Sequence, residues 1–210
     1  MIDRKGDKMS NMFLDPKQPL HTCKEEKCDG CHVSKTLFCH FTGKRLVWFM
    51  GMFMPLFVFA GYGMFTFSVW IFAAWLVFTF SFFGLIEIRV MCSHCPHYAE
   101  PELNSLKCWA NYGSPKIWKY RPGPMSLIES IIFFTGFIII LAPPAIVFGL
   151  QERFWLMGIY LGALILVFSL LHIFYCRHCI NFACPLNAVK KKDREEFFEK
   201  NPSVKDAWKK

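Results

Sequence analysis

The residues able to do chemistry in this 210-residue chain are ten cysteines: Cys23, Cys28, Cys31, Cys39, Cys92, Cys95, Cys108, Cys176, Cys179 and Cys184. Two groups share one spelling, Cys92-Ser93-His94-Cys95 and Cys176-Arg177-His178-Cys179. Two thiolates separated by two residues bite one metal from a single turn, a geometry that suits zinc and iron–sulfur clusters alike. The N-terminal group, Cys23, Cys28, Cys31 and Cys39, can complete a four-thiolate site by itself, with His21, His32 and His40 interleaved. Asp29-Gly30, inside Cys28-x-x-Cys31, is a turn dipeptide that lets two sulfurs face one ion. The other six cysteines fall into two trios, each one ligand short. His94 and His178, inside the repeated spelling, are candidate additional ligands, and His97 and His172 are further ones. The trios can instead pool, with Cys92, Cys95, Cys176 and Cys179 ligating together.

Three observations bear on the metal. Cys95 is followed by Pro96 and Cys184 by Pro185, and a Cys-Pro step ends the ligand run of bacterial ferredoxins. The stretch Cys176 to Asn187 looks like such a run with one cysteine missing, Asn181 or Phe182 standing at its third position. Both repeated motifs also follow directly on apolar segments, and a redox cluster served by quinol must lie close to the bilayer. Iron–sulfur is the expected cofactor. Zinc in structural sites is the alternative, and thiolate handling of transient metal is a third.

The elements that must position these thiols are membrane helices. The chain is 54% apolar and 18% aromatic, more than a soluble domain of this size carries. From Leu46 through Ile86, 41 residues pass without a charge, about twice the roughly 20 that cross a bilayer as a helix. Two spans are expected there, Val47 to Ala60 and Met64 to Ile88, with Gly61-Tyr62-Gly63 as the turn. A third runs from Leu127 to Leu150, interrupted by Pro143-Pro144, and a fourth from Phe154 to Tyr175. Of the 24 Lys and Arg residues, 23 lie in the segments 1–45, 89–125 and 176–210, and only Arg153 lies on the other side. The positive-inside rule then puts both termini and the middle loop in the cytoplasm and accounts for the net charge of +8 without a nucleic-acid partner. No signal peptide is expected, because residues 1–45 lack an apolar core. A cytoplasmic cap keeps its thiols reduced, so clustered cysteines there point to metal rather than to cystines.

The chain therefore reads as an all-α membrane protein: four transmembrane helices in two hairpins with a cysteine-rich cytoplasmic cap. Its segments are an N-terminal Cys/His-rich stretch (1–45), the first hairpin (46–88), a Cys/aromatic loop (89–126), the second hairpin (127–175), and a Cys motif with a basic helical tail (176–210). The repeated spelling after each hairpin suggests internal duplication. Tyr98, Trp109, Tyr112, Trp118 and Tyr120 suit the middle loop to an interfacial lid, or to a quinone edge. Asn187 is the expected cap of the tail helix, Asn201-Pro202 its end, and Ser203 the cap of a last short turn. Lys190-Lys191-Lys192 suits contact with anionic lipid. Glu87 and Glu129 lie near span ends and are candidates for proton handling, Glu87 with Arg89 as a partner. His172 is the one histidine in the apolar runs, which disfavours a bis-histidine haem and suits an interfacial role. No phosphate-binding loop, dinucleotide fingerprint, zinc-protease motif or nucleophile elbow is present in the sequence.

The layout resembles that of the NosR/NapH-type membrane iron–sulfur proteins. The resemblance rests on two hairpins followed by Cys92, Cys95 and Pro96 and by Cys179, Cys184 and Pro185. Spacing departs from that family's paired Cys-x3-Cys-Pro, and no complete ferredoxin run is present. What the resemblance implies is passage of electrons from the quinol pool towards a reductase. The expected role is a membrane-anchored, metal-binding electron-transfer subunit, part of an oxidoreductase rather than a complete enzyme. The expected partners are the bilayer, a soluble redox protein and quinone. The alternative is a non-redox membrane scaffold with structural zinc.

Overall fold

The computed structural model describes residues 19–101 and 104–209, so the first 18 positions of the expected N-terminal segment lie outside it. Among the described residues the chain is helical without a strand; the one sheet-like pairing is an isolated bridge between Ser105 and Pro115. A short helix α1 (His32–Thr36) precedes α2 (Gly43–Phe67). The chain returns through α3 (Val69–Ser81), a π-helical turn (Phe82–Ile86) and α4 (Glu87–Val90). The second hairpin is α5 (Leu127–Leu150) and α6 (Phe154–Leu171), the latter continued by a π turn at His172–Cys176. Two tail helices follow, α7 (Lys191–Lys200) and α8 (Pro202–Trp208). Four stretches, Gly43–Phe67, Val69–His94, Leu127–Leu150 and Phe154–Cys176, are long and apolar enough to cross a membrane.

The first reversal is not at Gly61-Tyr62-Gly63. Helix α2 runs through both glycines, and the chain turns at Ser68, whose extended backbone (φ −162°, ψ 129°) separates α2 from α3. At about 1.5 Å per residue its 25 residues reach about 37 Å, enough to cross with some tilt. The two glycines serve packing instead. A Cβ on Gly63 would stand 2.6 Å from the Phe148 ring, and one on Gly61 would stand 3.3 Å from Phe72. Lipid is as apolar as leucine, so spans associate by close fit, and small residues let large rings approach.

The second surprise lies at the prolines of α5, which does not break there. Pro144 has no N–H for the Ile140 carbonyl four residues earlier. Trp75 on α3 supplies the donor, its indole Nε1 giving a 2.9 Å bond to Ile140 O, while Tyr160 Oη donates to Leu141 O at 2.9 Å. An unpaired carbonyl in hydrocarbon is costly, so the Trp75 bond offsets the donor that Pro144 lacks, and the Tyr160 bond braces the next carbonyl. Trp75→Phe is expected to lower stability by about 1–3 kcal/mol, the cost of one buried polar group left unmet. Unfolding in detergent would measure it, and Trp75→Phe protein as stable as the original would refute it.

Helix α2 packs on α3, α5 and α6, and α5 packs on α6. Leu56, Ala60, Phe82, Ile140, Phe148 and Tyr160 form the middle of the bundle. Trp70 and Trp155 are exposed at one end and Trp48 at the other, as interfacial aromatics are. Both return spans carry a π turn near the end that leads to the cysteines. The turns fall at different distances from the motif, however: Ile86 precedes Cys92 by six residues, whereas Cys176 is the last residue of its own turn. The halves therefore share a plan but not a register.

The polar segments pack together at the end where α2 begins. Lys24 N–H donates to Lys200 O (2.9 Å), Phe38 N–H to His178 O (2.8 Å) and Arg121 N–H to Ser93 O (2.8 Å). Leu20, Val33, Leu37, Ile180, Phe182 and Phe197 form an apolar centre shared by the N-terminal segment and the tail. In the middle segment Trp109 folds back onto the helix ends, against Phe49 (5.1 Å) and Tyr175 (4.7 Å). Asn187 does not cap the tail helix, which begins at Lys191; it braces the cysteine loop, giving Nδ2 bonds to Cys179 O (2.7 Å) and Asn181 O (3.0 Å). Ser203 is likewise no cap, because α8 starts at Pro202 behind Asn201, whose side chain is bonded to Phe197 O and Thr22. Glu87 and Arg89 do not pair. Arg89 reaches Glu129 (3.5 Å), which also holds Arg121 and closes a capping box with Ser126 at the start of α5.

Candidate metal centre

All ten cysteines are described and all are free thiols. They gather in two neighbourhoods. In the first, Cys28-Asp29-Gly30-Cys31 closes as the expected turn, with Cys31 N–H on Cys28 O (3.1 Å) and Gly30 at φ 74°, which glycine adopts without strain. Burial first, then the nearby Cys28, Cys31 and Cys23, push the Cys39 thiol well up. Cys28, raised to about 11 by burial and then by Cys31 and Cys23, has His40 Nε2 at 3.8 Å from its sulfur.

The second neighbourhood pools the two trios. Cys95 is raised by burial and by Cys108 and Cys184. Cys179 is raised by burial and by Cys95, Cys108 and Cys184. Cys184, pushed up to about 12 chiefly by burial, also feels Cys176, and it packs against the cluster that holds Cys92. The pool is wider than the sequence suggested, since Cys108 and Cys184 belong to it. Among the described residues, however, no three or more Cys, His, Asp or Glu side chains are arranged to hold one metal ion. The sulfurs are neighbours, not a finished coordination sphere.

A local rule links five of these cysteines. The backbone N–H two residues on lies against the sulfur: Glu25 at Cys23, His97 at Cys95, Ala110 at Cys108, Asn181 at Cys179 and Leu186 at Cys184. The N–H of Asn111, three residues on, also favours the Cys108 thiolate, while that of Asn187 donates to Cys184 O (3.0 Å). Each such donor favours the thiolate, against the burial that favours the neutral thiol. Cys92 is served by a side chain instead: Asn111 Nδ2 lies 3.2 Å from its sulfur and 3.3 Å from Glu87 Oε2. Glu87 is thus a buried carboxyl (5% exposed) joined to the thiols through Asn111.

The histidines take distinct places. His94 has both ring nitrogens engaged away from sulfur, Nδ1 on Gly123 O (3.1 Å) and Nε2 at Arg121 (3.0 Å). His178 places Nδ1 on Thr36 O (2.8 Å) and stacks on Phe38. His172 is exposed at the end of the fourth span, and His32 pairs with Glu196 (3.0 Å). His97 stands between the two neighbourhoods, Nε2 on Cys39 O (3.1 Å) and Nδ1 3.9 Å from the Cys95 sulfur. A carbonyl only accepts, so Nε2 carries the proton and Nδ1 turns its lone pair to Cys95. Burial lowers this imidazole from 6.5 to about 4. Its neutral form therefore stabilises the fold above its unfolded value, and that contribution is lost as pH falls from 6.5 towards 4. In metal-free protein His97→Gln is expected to flatten the pH dependence of unfolding in this window; an unaltered slope would refute the assignment.

Asn111, Asn181 and Asn187 are the site residues the motifs did not single out as donors. One signal was present: Asn111 follows Cys108, and Asn181 precedes Cys184, by the same three positions that separate the paired cysteines.

Fold and site together define a helical protein with four helices long and apolar enough to cross a membrane and ten free thiols, buried or half-buried, gathered towards one end of them. No family model matches the chain, and no curated protein or solved structure does either.

Proposed function

We propose that this chain is a membrane-anchored electron-transfer subunit that holds iron–sulfur on thiolates at the cytoplasmic end of its helices. The observation that carries the reading is the gathering of ten free thiols in two neighbourhoods at one end of the helices, with the Asn111 Nδ2 donor 3.2 Å from the Cys92 sulfur. Such donors serve a sulfur that bears charge, and hydrogen bonds to ligand sulfurs tune the potentials of metal centres. Burial favours the neutral thiols, so thiolates held there would need a cation to balance their charge. Cys23, Cys28, Cys31 and Cys39 would form one ligand set. The pooled cysteines Cys92, Cys95, Cys108, Cys176, Cys179 and Cys184 would supply the other. Bound there, an iron–sulfur cluster supplies reversible one-electron transfer. The residues of this chain bury the sulfurs, orient them through the backbone, and place Trp109, Phe49 and Tyr175 at the helix ends, where a quinone would approach. The exposed Lys190, Lys191 and Lys192 follow Ala188, whose N–H is bonded to Cys176 O (3.0 Å), and so lie beside the last span, in reach of anionic lipid.

A structural zinc reading is favoured by His40 beside Cys28 and His97 beside Cys95, since three thiolates and one histidine make an ordinary zinc site. Full-length protein extracted anaerobically should carry iron and sulfide and show a broad visible absorption that bleaches on reduction. Colourless protein with stoichiometric zinc would replace this reading with the scaffold one. Protein with neither metal would end both.

A further inference from the structure

Two arginines share one carboxylate where the second span ends and the third begins. Glu129 Oε1 accepts from Arg121 Nη2 (2.5 Å) and lies 3.5 Å from Arg89 Nη1. Its Oε2 takes the backbone N–H and the hydroxyl of Ser126, at 2.9 and 3.0 Å. Both carboxylate oxygens are therefore occupied. His94, whose Nε2 stands 3.0 Å from Arg121 Nη2, brings no negative charge. The group holds two guanidinium charges against one carboxylate.

The two arginines are not equivalent. Arg121 is fastened, its Nη2 also donating to Arg89 O (2.8 Å) and Ser93 Oγ (3.2 Å), and it is enough by itself to pin the carboxylate. Arg89 is the surplus cation. Its side chain is 40% exposed, and its guanidinium lies 5.7 Å from the centre of the Trp118 ring. Trp118 is held in turn, its backbone N–H donating to Tyr98 Oη at 2.8 Å. A guanidinium kept in place by a ring and a carboxylate loses little entropy on taking a further anion, and its fork matches the oxygens of a phosphate.

The surroundings say which phosphate. Leu85 and Ile86, one turn before Arg89, and Ile132, one turn after Glu129, are exposed. The second span runs towards the cysteines and the third away from them, so all three residues lie on the apolar side of the ion group, where acyl chains would run. Trp118, exposed as well, suits the headgroup level. We infer that Arg89, seated by Trp118 and backed by Arg121, is a binding site for the phosphate of an anionic phospholipid between the second and third spans. The inference stands on the helices crossing a bilayer and is independent of any metal at the thiols. It concerns a different place from Lys190-Lys191-Lys192, which lie beside the last span.

Native mass spectrometry of full-length protein released from detergent tests it, with phosphatidylglycerol and phosphatidylcholine as the lipids. Unaltered protein should retain one phosphatidylglycerol per chain and little phosphatidylcholine. Arg89→Gln should weaken that retention by about 10-fold or more. Arg89→Lys should weaken it less, since lysine keeps the charge and loses the fork. Arg153→Gln, at the other end of the bundle, should leave it unaltered. Phosphatidylcholine held as firmly, or Arg89→Gln protein retaining phosphatidylglycerol as Arg153→Gln does, would overturn the assignment. Ready displacement by inorganic phosphate would overturn it too and give the site to a free anion. Protein that needs no detergent and takes up no lipid would remove the bilayer reading with it.

Discussion

Cys179→Ser protein is expected to lose the metal of the second thiol group while keeping its helices. Burial first, then Cys95, Cys108 and Cys184, push the Cys179 thiol up, and the backbone N–H of Asn181 pulls it the other way. A ligand lost from the centre should weaken binding by more than the 10–100-fold that outer partners typically account for. Cys176→Ser provides the contrast. That sulfur lies at the membrane end of the group, inside the π turn that closes the fourth span. Its replacement should cost less metal than that of Cys179. Iron and sulfide per protein, measured on anaerobic preparations of both variants, decide the matter. Equal iron in Cys179→Ser and unaltered protein would overturn the ligand set, and helical content from circular dichroism would separate ligand loss from unfolding.

The second large effect is expected far from the thiols. Gly136 faces Phe82, the first residue of the π turn on the return span and a fully buried ring. A Cβ built on Gly136 falls inside that ring. Neither side can yield easily, because Phe82 is also packed against Phe78, Phe83 and Phe137. Gly136→Ala is expected to destabilise the bundle by about 1–3 kcal/mol, the usual cost of overpacking. The same substitution at Gly158, where nothing lies within 4 Å, should stay within about 0.5 kcal/mol. Adding Phe82→Ala to Gly136→Ala should recover part of the loss, since the pair is in contact and its effects are not independent. Unfolding of the variants in detergent measures all three, and strictly additive costs would show that the ring and the glycine do not meet.

What the sequence determined by itself is the set of properties that belong to a stretch of chain. Three long uncharged runs, the first of them long enough for two passages, give four helices able to cross a membrane, because hydrocarbon leaves a backbone no partner but its own helix. The Asp29-Gly30 turn was legible for a similar reason: a positive φ is a local demand, and glycine meets it locally. The cysteine segments were visible as ligand-bearing, but only as separate trios. Everything that depends on which residues meet across the bundle was decided by the tertiary structure. Gly61 and Gly63 read as a turn because glycine serves both turns and close approaches, and only the position of Phe148 shows which is wanted. Pro143-Pro144 read as an interruption because the donor that repairs it, Trp75, lies 65 positions from Ile140. Asn187 read as a helix cap because its two carbonyl partners lie in a loop whose shape comes from packing. The gathering of Cys95, Cys108, Cys179 and Cys184 from two segments into one neighbourhood follows from how two hairpins stack. Stacking is set by ring against glycine and donor against carbonyl between distant residues, a match that no window of sequence contains.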